Sequence, residues 1–181
     1  LLGDALKPLM LWPLGSDAHG EPGFWPWQLV TYAFLHDPRS LLHLAFNMLA
    51  LVMFGAQVEH VWKERRYATY YFVSVLGAAL CQLVVAWLTM AQGIAPYATL
   101  GASGGVFGLL LAYGVLFPNQ RLMLLFPPIP MKAKYFVIVF GVLELYLGVS
   151  GSTPGIGNFA HLGGMLFGFL LLRYWRRPPS G

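Results

Sequence analysis

"TLGASGGVFGLLLAYGVLF", Thr99 to Phe117, crowds three glycines around Ser103 and then runs apolar. A glycine inside a helix costs roughly 1 kcal/mol against alanine, so this head is not built for helix stability. The apolar run from Ser103 to Phe117 rises only about 22 Å at 1.5 Å per residue. Bilayer hydrocarbon is about 30 Å thick. A helix this short must start below the membrane surface, fed by a loop that is buried in protein or lines a watery cavity. The sequence therefore lowers a hydroxyl to membrane depth, where a polar group is functional by default.

Composition supports the membrane setting. Of 181 residues, 57% are hydrophobic and only 10% charged, with a mean hydropathy of +0.63. A soluble domain carries about a quarter charged residues, and this chain could not cover a wetted surface with so few. The single cysteine, Cys81, excludes an intrachain disulfide framework. It lies in an apolar run and reads as a small packing residue. No CxxC, HExxH or Walker-type loop is present, so neither a metal nor another cofactor is expected.

Four further apolar runs flank the first: Leu41–Val58, Tyr67–Met90, Tyr135–Val149 and Phe159–Trp175. The expected fold is all-α, a polytopic bundle of five membrane helices. Residues 1–40 form an outer loop region, 41–177 the transmembrane core and 178–181 a cytoplasmic tail. The loop is rich in Pro, Gly and Trp, as in "WPLGSDAHGEPGFWPW", and Trp12, Trp25 and Trp27 suit a membrane interface. Alternating spans put Lys63, Arg65, Arg66, Arg121, Lys132, Lys134, Arg173, Arg176 and Arg177 on one side, leaving Lys7 and Arg39 on the other. The positive-inside rule makes the crowded side cytoplasmic. That distribution accounts for the net charge of +4 without nucleic acid as a partner.

The polar groups at membrane depth are few: His43, Asn47, Ser74, Ser103, Glu144 and His161. His43 and Asn47, four apart, share a helix face. With Ser103 and His161 they lie at one depth, below the outer surface. A serine hydroxyl needs an adjacent base, which His161 can supply. An oxyanion needs preorganised donors, which His43, Asn47 and the free N–H groups at a helix start can supply. No carboxylate is expected at that depth near His161, which points to a Ser–His dyad and not a triad. Ser74, alone in its span, reads as a hydrogen-bonding link between helices. Glu144 is expected near mid-membrane, either as a protonated carboxyl bonded to a neighbouring helix or as a polar latch on a helix that moves as a gate.

Three motifs in order, "HLAFNM" (His43–Met48), "GASGGVFG" (Gly101–Gly108) and "AHLGGMLFG" (Ala160–Gly168), resemble the rhomboid intramembrane serine proteases. "WQLVTYAFLH" (Trp27–His36) and "FPNQRLMLLFPPIPMKAKY" (Phe117–Tyr135) resemble family segments too. The resemblance implies a six-helix core whose first helix would lie upstream of Leu1. It implies Ser103 as nucleophile, His161 as general base, and His43 and Asn47 as oxyanion side chains, completed by the backbone N–H groups of Ala102 and Ser103. Gly101 matches the glycine where backbone approaches substrate. Gly164 and Gly168 match a pair that lets the last helix approach the serine-bearing one. Glu59 matches a structural glutamate. Two positions depart from the pattern. Phe107 stands where a tyrosine is common, so ring stacking on the histidine survives without a hydroxyl. Gln28 stands where an arginine is common, which removes a charge from the loop.

The expected activity is cleavage of transmembrane protein substrates near the outer face of the bilayer, with "SGSTPGIGN" (Ser150–Asn158) as a flexible cap. A bacterial inner membrane, with the site facing the periplasm, is the expected setting. Two rivals are a non-catalytic relative that binds transmembrane clients and a proton-linked transporter using His43, His161 and Glu144. Substrate identity and oligomeric state are not legible in the sequence.

Overall fold

The computed structural model describes residues 5–37, 40–123, 128–151 and 157–176. Arg39, Arg177, the tail at 178–181 and the central part of the expected cap (152–156) lie outside the described residues. The helices are α1 (Gln28–Thr31), α2 (Leu41–Ala50), α3 (Ala56–Ala91), α4 (Ser103–Leu116), α5 (Ala133–Ser150) and α6 (Asn158–Trp175). A π-helical turn, Leu51–Gly55, joins α2 to α3. Two short strands, β1 (Arg121–Met123) and β2 (Pro130–Lys132), pair antiparallel between α4 and α5. The hydropathy pattern had pointed to neither the π-turn nor the hairpin.

The stretch Leu41–Ala91 is helical throughout but is not one rod. Lys63 has φ 63° and ψ 167°, far from helical values, and the chain folds back there. The reversal is visible in side chains that a straight helix would keep about 12 Å apart. The Trp62 and Tyr70 rings lie 4.9 Å apart, and a methyl at Gly55 would meet Tyr67 Oη at 2.7 Å. Two antiparallel arms result, matching the expected first and second spans.

Glycine lets α4 sit at the centre. A Cβ on Gly104 would meet Ala78 of α3, with Ala160 O of α6 at 3.5 Å. One on Gly108 would meet Ser74 of α3, with Gly164 O at 3.2 Å. One on Gly114 would lie 2.6 Å from Val137 of α5. Small residues permit this backbone approach where lipid offers no hydrophobic drive between helices. The pairs fix directions. Ser103 faces His161 and Gly108 faces Gly164, so α4 and α6 run parallel. Ala78 meets Gly104 while Ser74 meets Gly108, so the second arm of α3 runs opposite to both. At its far end, Trp175 of α6 packs against Trp62 at 5.5 Å, under the Arg66 guanidinium at 4.3 Å. Arginine over indole is a favourable cation–π pair. Helix α5 is peripheral, and its buried residues are Ala133, Val137 and Glu144.

Gly168 packs against Tyr70, whose hydroxyl donates to Gly108 O of the serine-bearing helix at 2.9 Å. A Cβ on Gly168 would meet Tyr70 Oη and, at 3.2 Å, Ser74 Oγ, both on α3. Gly164 alone of the pair meets Gly104. Ser74 is no hydrogen-bonding link, since its buried Oγ has no partner among the described residues. It serves as a small side chain where α3, α4 and α6 converge. Cys81 packs against Gly163, as expected for a packing residue.

Candidate active site

The site grows from the turn before α4. The Leu11 N–H donates to Thr99 O at 3.0 Å and the Thr99 N–H returns to Leu11 O at 2.9 Å. The Gly101 N–H donates to Tyr32 O at 2.9 Å. The segment entering α4 is thus held by the N-terminal loop. Tyr32 is itself pinned, its hydroxyl donating to Val75 O of α3 at 2.8 Å. Burial, then the neighbouring Tyr71, raises its phenol above the ordinary range. Gly101 has φ 127°, a conformation that side-chain-bearing residues rarely adopt. A methyl built there would lie 3.6 Å from His43 Nε2 and 3.8 Å from Ser103 Oγ. The missing side chain therefore leaves open the space between those two groups.

Ser103 opens α4 and is half-buried. Its Oγ lies 2.7 Å from His161 Nε2. His161 is buried near the start of α6, and its ring stacks on Phe107 at 4.3 Å with 6° between planes. The stacking expected of Phe107 is therefore present without a hydroxyl. The first intrahelical bond of α4 runs from the Val106 N–H to Ala102 O. The Ala102 and Ser103 N–H groups precede that ladder and belong to the orphan donors of a helix start. Asn47 is buried, and its Nδ2 has no partner among the described residues. A buried amide donor without an acceptor is costly and persists where it serves a purpose.

One carboxylate stands where none was expected. Glu144 Oε2 lies 2.9 Å from His161 Nδ1 and accepts from Asn158 Nδ2 at 2.7 Å. The expectation that no acid lies near His161 is corrected. The two helices pack antiparallel with their joined ends level, Gly148 meeting Phe159 and Gly141 meeting Met165, so Glu144, about 9 Å from the end of α5, comes level with His161 near the start of α6. Glu144 is therefore bonded to the neighbouring helix, the plainer of its two expected readings. The i, i+3 pair Asn158 and His161, converging on one acid, was the signal available in the sequence.

Loss of an arginine charge does not leave the loop loose. Gln28 is fully buried, its Oε1 accepts the Trp12 N–H, and its Nε2 donates to Pro8 O and Gly23 O, each at 3.2 Å. A neutral amide closes the loop by satisfying three backbone groups. His36, ahead of α2, lies with its ring 6.4 Å from that of His43. Burial, then the His43 ring, lowers the pKa of its imidazole.

A family model described as the rhomboid domain matches residues 24–178. Relatives include RHOMBOID-like protein 5 of Arabidopsis thaliana, 34% identical over 80% of this chain and 42% of its own length. Rhomboid protease GluP of Bacillus subtilis is 30% identical over 88% of this chain and 28% of its own. Rhomboid protein 1, mitochondrial, of Saccharomyces cerevisiae is 30% identical over 78% and 40%. The chain thus spans well under half the length of these relatives. With the motifs, the helix order and the match over most of its length in agreement, the chain belongs to the rhomboid family.

Proposed function

We propose that the chain is an intramembrane serine endopeptidase that cleaves transmembrane segments of other membrane proteins near the outer face of a bacterial inner membrane. The observation that carries this reading is the 2.7 Å contact between Ser103 Oγ and His161 Nε2 beneath a stacked Phe107 ring. In it, Ser103 Oγ attacks the scissile carbonyl carbon as its proton passes to His161 Nε2. The resulting oxyanion is held by His43, the Asn47 amide and the N–H groups of Ala102 and Ser103. The C–N bond breaks, His161 protonates the departing amine, and water hydrolyses the acyl-enzyme in a second cycle. No metal or other cofactor is required.

The test is cleavage of a model transmembrane substrate in liposomes, by the protein expressed from its full reading frame. Ser103→Ala and His161→Ala are each expected to abolish cleavage and fluorophosphonate labelling. Cleavage that survives Ser103→Ala refutes the mechanism. No cleavage and no labelling by the unmutated protein would assign it instead to client binding.

A further inference from the structure

We propose that Glu144 is a positioning residue of this site, holding His161 in its Nδ1–H form and stabilising the ring cation that forms when Ser103 attacks; this rests on the hydrolase reading above. Neutral imidazole carries one proton. For Nε2 to accept from the Ser103 hydroxyl, that proton must be on Nδ1. Nδ1 lies 2.9 Å from Glu144 Oε2, which in the ionised acid has only lone pairs to offer. Such a carboxylate selects the reactive tautomer and fixes the ring's rotation.

The carboxylate is fixed in turn. Asn158, one turn before His161 on α6, donates to the same oxygen at 2.7 Å. The ring is thus held by Glu144 at Nδ1, by Ser103 at Nε2 and by Phe107 on its face. Both Glu144 and His161 are buried, at 8% and 6% exposure, where a charge pair is little screened by solvent. On attack, the Oγ proton moves to Nε2 and the ring becomes a cation. The Nδ1 proton stays on nitrogen and the carboxylate stays ionised. On collapse, the Nε2 proton leaves with the amine and the neutral ring returns.

A purely structural role, tying α5 to α6, makes a different prediction. Both donors use one oxygen, so glutamine with its carbonyl oxygen in that place keeps both hydrogen bonds and loses only the charge. If Glu144 merely links helices, Glu144→Gln behaves as the unmutated protein. If its charge supports the ring cation, Glu144→Gln lowers kcat by about 10²-fold, within the range for proton-transfer groups, with KM and melting temperature unchanged. Glu144→Ala loses the bonds as well and lowers both kcat and melting temperature further. The assay is the liposome cleavage above, with melting measured in detergent. A Glu144→Gln kcat within about tenfold of the unmutated protein overturns the assignment. The ¹⁵N-histidine spectrum of the unmutated protein reads the tautomer without any variant having to fold. The Nδ1–H form is expected, and an Nε2–H form overturns the proposal. An unmutated protein that neither cleaves nor takes up fluorophosphonate refutes the hydrolase reading, and this assignment falls with it.

Discussion

Replacing Gly164 by alanine tests the idea that backbone proximity between α4 and α6 sets the site. A Cβ at Gly164 would collide with the carbonyl of Gly104, the residue after Ser103. Carbon and carbonyl oxygen settle at about 3.3 Å or more, so the two backbones must part by about an ångström. Neither partner is the flexible end of a side chain, and the strain cannot be relieved locally. Overpacking of this kind costs about 1–3 kcal/mol. His161 is one turn from Gly164 and moves with it. A misplacement of about 1 Å between reacting groups can cost about 10²-fold in rate. Gly164→Ala should therefore lower the melting temperature in detergent and cut kcat/KM for a transmembrane substrate by about 10²-fold. Gly141→Ala is the control. Its Cβ would lie 3.4 Å from Met165 Cε, an ordinary contact with a flexible side chain. Helix propensity favours alanine there by up to about 1 kcal/mol, so that variant should be neutral or more stable. A Gly164→Ala protein with unchanged melting and unchanged kcat/KM would refute the reasoning.

Three further predictions concern the loop and the reversal. Gln28→Ala strips three hydrogen bonds from Pro8, Trp12 and Gly23 and should cost about 2–4 kcal/mol. Limited proteolysis should then cut the region before α2 faster, and an unchanged digestion rate would count against the loop's closure by Gln28. Lys63→Gly relieves a backbone conformation worth about 1–3 kcal/mol of strain in a residue with a side chain. It should raise the melting temperature, and a fall would show that the lysine side chain outweighs the strain. His36 is held neutral by burial and then by the His43 ring, which lower its pKa below the ordinary histidine value. The unfolded chain then binds more protons than the folded one as pH falls through about 6.5. Stability from this group is complete above that pH and is lost below it, towards the folded pKa. Melting temperature should fall on acidification from about pH 7 to about pH 5, and less so in His36→Gln. Equal falls in both proteins would remove His36 as a source.

The parts of the protein that follow from local composition were legible before any coordinates. Five apolar runs marked the helices, a 15-residue run marked α4 as short, and the motifs marked Ser103 and His161, which the fold brings into contact. Hydropathy and charge act residue by residue along a segment, so a linear reading captures them. The reversal at Lys63 lay between two expected runs, and its backbone conformation left no trace in residue type.

Other features depend on how helices distant in sequence rotate and slide against one another. Glu144 was visible as an anomaly, but only the antiparallel packing of α5 on α6 puts it on the far nitrogen of His161. Gly164 meets the Gly104 carbonyl directly, whereas Gly168 meets Tyr70, whose hydroxyl reaches Gly108 O. Gln28 looked like a lost charge, and only the folded loop shows three backbone groups converging on its amide. The sequence by itself determined the class of protein, its helical spans and the polar side chains available for chemistry. The tertiary structure alone decided which of those side chains touch, because glycine-lined packing between separate segments sets their depth and facing.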